Sequence, residues 1–531
     1  MLRGSSSETF NRPSVSRKHA ADWVIPLCLT AFFLYVSSRL MGISMADDSY
    51  YLQSGAGVSA STFLHFQSWG PLYSLWFKAL HFVCPNPISR YFLSWGLLVT
   101  LIGLLPAWMK MPSAWLYSFL ILIFPVLTVT PYVSHFAAVI VLFSTCVLLR
   151  QQRAYSTAAA AACLVSFILA FARPEFSYGV YFSAVATVLM LGLEALPANA
   201  STAAAPRRRP LRLIGLGLTV VTLSAAMIFI TGQSRKTSRS GMAFAQHFNW
   251  RAMQRGLLAP GPDVWSSNYA ERRFGIDAGH SAANGTATIA DFFHANPRLF
   301  LDHISRNLID PKTIVFLLFL AIVLTWPWLG NSVPTLRAIS LFLLLLCLPP
   351  VAGILLIYPR EHYPMIVLPA LVLYTVQLLQ VERWRRPSTA WVLVVGCALI
   401  WLLNIGLDAH GVEVVQDDRS NLSRVRCLYA IDQSTSSANP AVFDAAGTLD
   451  VYFPHTRVSV YPAALPTWAQ FQAWATHTQP AWISTDAALA KQYALTPNQL
   501  DDYLRNDLGY HPHPCPFAAQ LTVYTGPAPS Q

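Results

Sequence analysis

The sequence predicts an all-α polytopic membrane protein. It should have about eleven transmembrane helices, interfacial helices in the first outer loop, and a small C-terminal α/β extracytoplasmic domain. Three observations carry this expectation. Of 531 residues, 54% are hydrophobic and 11% charged. A soluble domain carries about 25% charged residues, so lipid must solvate most of this chain. Apolar runs of about 20 residues, the length that crosses roughly 30 Å of hydrocarbon, recur between residues 22 and 407. Beyond residue 408 the composition turns globular.

Residues 1–21 form a polar tail holding Arg3, Arg12, Arg17 and Lys18. The run from Trp23 to Leu40 is too long for a signal-peptide core and lacks a small-residue cleavage site, so it reads as a retained anchor. It opens a membrane domain over 22–407, with spans expected at 22–42, 88–109, 113–130, 135–149, 156–172, 177–195, 211–231, 312–330, 337–357, 363–380 and 388–407. Residues 69–84 also carry an apolar run. Pro71, Lys78, His81 and interleaved aromatics suit a helix lying in the interface.

Loop charges set the orientation. With 69–84 in the interface, one side collects the tail, Lys110, Arg150, Arg153, Arg207–Arg209, Arg212, Arg337, Arg383, Arg385 and Arg386. By the positive-inside rule that side is the cytoplasm. The other side collects loop 43–87, the turns near 131–135, 173–176 and 358–362, the long segment 232–311, and everything after 408. A twelfth span at 69–84 would export the arginine-rich loops. The net charge of +11 follows from this clustering and does not point to nucleic acid. No internal repeat of the kind many transporters carry is apparent.

In residues 408–531, short β-rich runs at 425–431, 458–461, 481–485 and 521–525 alternate with helix-like runs at 466–476 and 497–508, which predicts α/β structure. Cys427 and Cys515 are the two cysteines of this exported region, out of eight in the chain. An even pair in an oxidising compartment is a disulfide candidate, with Cys427 on the first strand and Cys515 just ahead of the last.

Asp47-Asp48-Ser49-Tyr50-Tyr51 lies just past the first span. Carboxylates beside a bilayer are costly unless they face water, a partner or a substrate. If a helix starts at Asp48, Asp47 caps it, and capping needs one carboxylate. The functional alternative makes one Asp a general base while the other orients or coordinates. The same face holds His65 and Gln67 ahead of Trp69-Gly70-Pro71, then His135, Arg173-Pro174-Glu175, Arg235-Lys236, and Arg360-Glu361-His362-Tyr363. Arg173 and Arg360 stand in very short turns on the face poor in basic residues. Converging cations there would hold a phosphate. Glu175 and Glu361 could instead pair with them. No Walker A, HExxH or CxxC motif is present, and His511 and His513 lack the spacing of a metal site.

These residues together resemble the GT-C superfamily of membrane glycosyltransferases, which includes protein O-mannosyltransferases, the lipid A aminoarabinose transferase and arabinofuranosyltransferases. Asp47-Asp48-x-Tyr50-Tyr51 is similar to that superfamily's acidic motif in the first outer loop. Trp69-Gly70-Pro71-Leu72-Tyr73 resembles its Pro-Pro-Leu-x-Tyr segment, with Gly70 in place of a Pro. Pro359-Arg360-Glu361-His362-Tyr363 resembles an Arg-Tyr-Leu-x-Pro region near a late span, with His362 where Arg is common. The resemblance implies a sugar donor linked to polyprenyl phosphate, and an inverting transfer on the outer face to a lipid, glycan or protein acceptor. It implies Asp47 as base with Asp48 in support. Arg360, Arg173, Lys236 and His362 would then face the donor phosphate. Tyr50, Tyr51, His65, Gln67 and His135 would line the donor and acceptor pocket. A divalent cation is the one cofactor left open. Two other classes compete: a lipid or solute transporter, and a ligase or oligosaccharyltransferase moving a preformed glycan. The expected location is the plasma membrane, as in the bacterial inner membrane, with the N-terminus cytoplasmic and the C-terminal domain periplasmic or extracellular.

Overall fold

The computed structural model describes residues 21–39, 41–45, 47–57, 70–109, 133–151, 154–195, 208–233, 239–258, 289–329, 334–359, 362–381, 409–434, 441–445, 448, 450–453, 458–515 and 521–526. The fold is mostly helical. In chain order the helices are α1 (Ala21–Ser38), α2 (Asp47–Gly57), α3 (Pro71–Val83), α4 (Pro87–Leu104), α5 (Val133–Gln151), α6 (Tyr155–Ala170), α7 (Phe176–Ala195), α8 (Arg208–Gln233) and α9 (Arg239–Gln254). There follow α10 (Ile289–Ala295), α11 (Pro297–Ile309), α12 (Pro311–Leu329), α13 (Pro334–Leu356), α14 (His362–Met365), α15 (Leu368–Val381) and α16 (Ala409–Ser434). Asn-Pro pairs start two of them, α4 and α11. Asn86 accepts from Ser89 N at 2.9 Å and Asn296 from Leu299 N at 3.1 Å, while the next residue is a proline that needs no donor partner.

Six described helices are long and apolar enough to cross a membrane: Pro87–Trp108, Val133–Gln151, Phe176–Ala195, Leu213–Thr231, Pro311–Trp328 and Pro334–Leu356. These match six of the expected spans. Three more expected spans appear as shorter apolar helices, Pro26–Ser38, Tyr155–Ala170 and Leu368–Leu378. The runs at 113–130 and 388–407 lie outside the described residues. Helix α3 has 13 residues, so at 1.5 Å per residue it reaches about 20 Å, short of the roughly 30 Å of a bilayer core.

The C-terminal region holds a five-stranded sheet: β1 (Ala441–Asp444), β2 (Val458–Val460), β3 (Trp482–Thr485), β4 (His511–Pro514) and β5 (Thr522–Thr525), in the order β2-β1-β3-β5-β4. The first three are parallel, and β5 and β4 add antiparallel. The expected strands near 458–461, 481–485 and 521–525 are present. The expected strand at 425–431 is instead helix, the interior of α16. Leu422, Val425, Leu428 and Ile431 are its buried apolar residues among those described, a spacing within the three to four that one helix face satisfies and an alternating strand does not. The first strand is β1, and β4 was not expected. Its sequence His511-Pro512-His513-Pro514 lacks two ladder donors, which only an edge strand tolerates.

The sheet is not a separate lobe. Helix α16, β1, β3 and β5 share one apolar core with residues 43–52, α3 and the start of α4; Ile43, Tyr51, Leu52, Tyr73, Tyr91, Val425, Tyr452 and Trp482 all belong to it. A disulfide joins Cys427 and Cys515 with Cα atoms 5.8 Å apart. Cys427 stands on α16, not on a strand, and Cys515 follows β4. The bridge spans 88 residues, for which the chain-entropy account gives a stabilisation of about 4–5 kcal/mol as an upper guide. Replacing both cysteines by serine should lower the thermal midpoint more than it lowers any turnover. Unchanged melting in the double variant, or free thiols in a non-reduced peptide map, would contradict this.

Candidate functional site

The chain enters the site through residues 41–45, which are held at several points. Ile43 N donates to Asp418 O at 2.8 Å, and Ser44 N donates to Tyr91 Oη at 3.1 Å. A Cβ on Gly42 would stand 1.9 Å from the Asp418 carbonyl carbon, so only glycine lets the segment lie flat on α16. Ser49, fully buried, donates to Ser44 O and lies 2.8 Å from Tyr452 Oη. Helix α2 begins at Asp47, one residue earlier than expected, so Asp47 is its first residue and Asp48 its second. The acidic pair thus stands at a helix N-terminus whose approach is fastened both to α4 and to the C-terminal region.

Around α2 the structure gathers residues far apart in sequence. Tyr51, 3% exposed, meets Tyr73 edge-on at 4.9 Å and directs its hydroxyl to Ala172 O at 3.5 Å. Leu72 N donates to Phe171 O at 2.9 Å. The turn after α6 carries Arg173, whose side chain is 12% exposed. Its Nε donates to Glu175 Oε1 at 2.6 Å, and its guanidinium lies 5.1 Å from the Tyr363 ring centroid. Burial by itself lowers the Arg173 pKa. The Glu175 carboxylate, helped by Tyr363 and Tyr51, more than offsets this and raises it, so the group stays charged. Arg173 is therefore paired with Glu175, one of the two outcomes the sequence left open. An incoming phosphate would have to share it through the terminal nitrogens.

The remaining expected site residues fall as follows. His135 sits in the first turn of α5, 1% exposed, beside Phe136, whose ring packs on Tyr73 at 5.4 Å. His362 opens α14, its ring 4.2 Å from that of Tyr363, and α14 packs against α5. Tyr50 is 41% exposed, on the open side of α2. His65, Gln67, Lys236 and Arg360 lie outside the described residues. The side chains of Asp47 and Asp48 also lie outside them, although their helix is described. Among the described residues no group of His, Cys, Asp or Glu is arranged to hold a metal ion.

Three contributors were missed as site residues. Tyr73 and Tyr363 were read only as parts of motifs. They prove to be the rings on which Tyr51 and Arg173 rest. Tyr363 in turn leaves no space at Gly353, where a Cβ would come within 2.5 Å of its ring. Asp418 was not singled out at all. It is 6% exposed, its Oδ2 has no hydrogen-bond partner among the described residues, and its backbone abuts Gly42 and Ile43. No pattern in the sequence brings residue 418 to residue 42.

Burial, with the Asp417 charge adding to it, pushes the Asp418 carboxyl up to about 6. The unfolded chain releases that proton near about 3.9, so the folded state binds the extra proton between the two values. Stability therefore falls as pH rises through that window and stays lower above it. The two-unit difference corresponds to at most about 3 kcal/mol. Asp418→Asn should accordingly raise the thermal midpoint at about pH 8 and leave it unchanged near pH 4. Equal melting of variant and wild type at the higher pH would contradict the assignment.

In comparisons with known proteins, no family model, no curated protein and no solved structure matches the chain.

Proposed function

We propose that this chain is an inverting glycosyltransferase of the GT-C type. It moves a single sugar from a polyprenyl-phosphate donor to an acceptor hydroxyl at the outer membrane face. What supports the reading is one assembly. Tyr51 on the helix that begins with the acidic pair, Arg173 in the turn after α6, and Tyr363 beside His362 meet at one end of the helices. Two of those segments, the one that begins with the acidic pair and the one that ends in Tyr363, carry the motif resemblance, and Arg173 is the cation of the very short turn between them in space.

The chemistry suits such an assembly. Asp47 takes the proton of the acceptor hydroxyl as that oxygen bonds to the anomeric carbon. The bond from that carbon to the phosphate oxygen breaks, and its electron pair leaves with the polyprenyl phosphate. That leaving group is a stabilised anion, so cations fixed beside it lower the barrier. Arg173, with Arg360, is assigned to it, and Asp48 orients the acceptor. A sugar-phosphate donor of this kind carries its own activation, so no nucleotide is required. The arginine-rich loops favour an orientation in the plasma membrane with the N-terminus cytoplasmic and the sheet on the opposite side.

Purified protein given a panel of polyprenyl-phosphate sugars and candidate acceptors provides the test. The expected result is an acceptor heavier by one sugar residue. A product heavier by a whole preformed glycan would favour a ligase. Substrate movement across vesicles with no change in any acceptor mass would favour a transporter.

A further inference from the structure

Helices α9 and α11 lie where spans end. Helix α11 runs directly into Asp310 and Pro311, the start of α12. Helix α9 stacks His247 on Tyr358 at 5.2 Å and sets Trp250 against the same ring at 6.2 Å, two residues past the end of α13. The two helices are joined to α10 by an aromatic cluster of Phe244, Phe248, Phe292 and Phe300. The rotation of α11 is set by buried polar groups. His303 Nε2 lies 2.8 Å from Leu356 O, and Asn307 Nδ2 donates to Leu355 O at 2.9 Å, so both meet carbonyls that the end of α13 leaves open. Leu301, Leu308 and Ile309 are left exposed on α11, as suits a helix resting in a bilayer interface.

At this level the charges do not balance. Arg251 and Arg255 are four residues apart along the C-terminal end of α9. Asp302 and Arg306 are four apart on α11. Arg255 forks Asp302, with Nε 2.9 Å from Oδ2 and Nη2 on Oδ1. Asp302 lies within Coulombic reach of Arg251 and Arg306 as well, and Arg251 in turn feels Arg255 and Arg306 as like charges. Arg255 thus pairs with the one carboxylate, and Arg251 and Arg306 stand within Coulombic reach of it, so two positive charges have no counter-ion among these four residues. Arg251 Nε is buried and has no hydrogen-bond partner among the described residues. Simple snorkelling would spread such side chains apart into separate headgroups. Here two helices hold them against one another, and a planar fork suits a phosphate.

We infer that Arg251, Arg255 and Arg306 form a binding site for the phosphate diester of an anionic bilayer lipid. The lipid bridges α9 and α11 at the membrane surface. A diester brings one negative charge and two free oxygens to three guanidinium groups that have one carboxylate, Asp302, paired with them among the described residues. Because α9 carries the rings stacked on Tyr358, the bound lipid also steadies the segment that leads to His362. The site is independent of the transferase reading and would stand if that reading fell.

The test uses the full-length protein in detergent, with dioctanoyl phosphatidylglycerol and dioctanoyl phosphatidylcholine as probes. Saturable binding of phosphatidylglycerol, weakened by added salt, is expected, with phosphatidylcholine weaker by about tenfold or more, because its choline ammonium brings back beside the guanidinium groups the positive charge that its phosphate would neutralise. The double variant R251Q/R306Q leaves the Arg255–Asp302 pair in place and should lose that preference. If the double variant does not fold, R306Q alone serves, because Arg306 is exposed. Equal affinity of the wild type for the two lipids overturns the proposal, and so does unchanged phosphatidylglycerol binding in the variants. Displacement of the lipid by an equal concentration of inorganic phosphate would overturn the lipid source and leave a free-phosphate site.

Discussion

Replacing Asp47 by Asn should lower sugar transfer by about 10²–10⁴, the usual cost of losing a general base. The substitution keeps the side-chain shape and removes only the proton acceptor. The described contacts that fasten residues 41–45 come from other groups. They use the backbone of Ile43 and Ser44, the absence of a side chain at Gly42, and Ser49 against Tyr452. Expression and melting should therefore stay near wild type while turnover collapses. Asp48→Asn should cost less, since Asp48 is assigned to orient the acceptor. If Asp48→Asn is the dead variant and Asp47→Asn is active, the two roles are exchanged. If both turn over normally, the acidic pair is a helix-start feature alone.

Gly70→Ala should damage the site from outside it. Gly70 has φ −58° and ψ 115°, which any residue adopts, so the demand for glycine there is spatial. A Cβ would stand 2.1 Å from the Ala172 carbonyl oxygen. That oxygen belongs to the turn that accepts from Tyr51 and leads into Arg173. The backbone of 171–172 would have to move, and with it the Leu72 N to Phe171 O bond. Overpacking typically costs about 1–3 kcal/mol, and a rigid carbonyl places this case at the upper end. Melting should fall, and donor affinity should fall with it because Arg173 shifts. A variant with wild-type melting and donor affinity would contradict the close approach.

The membrane part was largely legible because a span is a local property. Residues 88–109, 135–149 and 337–357 announce themselves by length and apolarity, and the structure places helices there. The interfacial reading of 69–84 rested on Pro71, Lys78 and His81, and the structure has the 13-residue helix α3 there. The error at 425–431 came from taking an apolar run for a strand. Its buried residues recur every three positions, and α16 uses that period to face the core shared with α3. Strand β4 escaped notice because alternating prolines are rarely strand, and they are tolerated here by its edge position. In the site, the motif segments were visible but their partners were not. Tyr73 beneath Tyr51, Tyr363 beneath Arg173, and Asp418 against Gly42 are contacts across long stretches of chain. Nothing periodic marks such contacts. They follow from how α3, α14 and α16 pack around α2.

The central claim is the transfer reaction itself, and release of the carrier tests it most directly. Purified protein is incubated with a polyprenyl-phosphate sugar, with and without acceptor, and free polyprenyl phosphate is measured by mass spectrometry beside the product. The account predicts one polyprenyl phosphate released for each sugar added, dependent on acceptor and abolished in Asp47→Asn. Product formation with no release of the monophosphate carrier, or release that Asp47→Asn leaves intact, would contradict it.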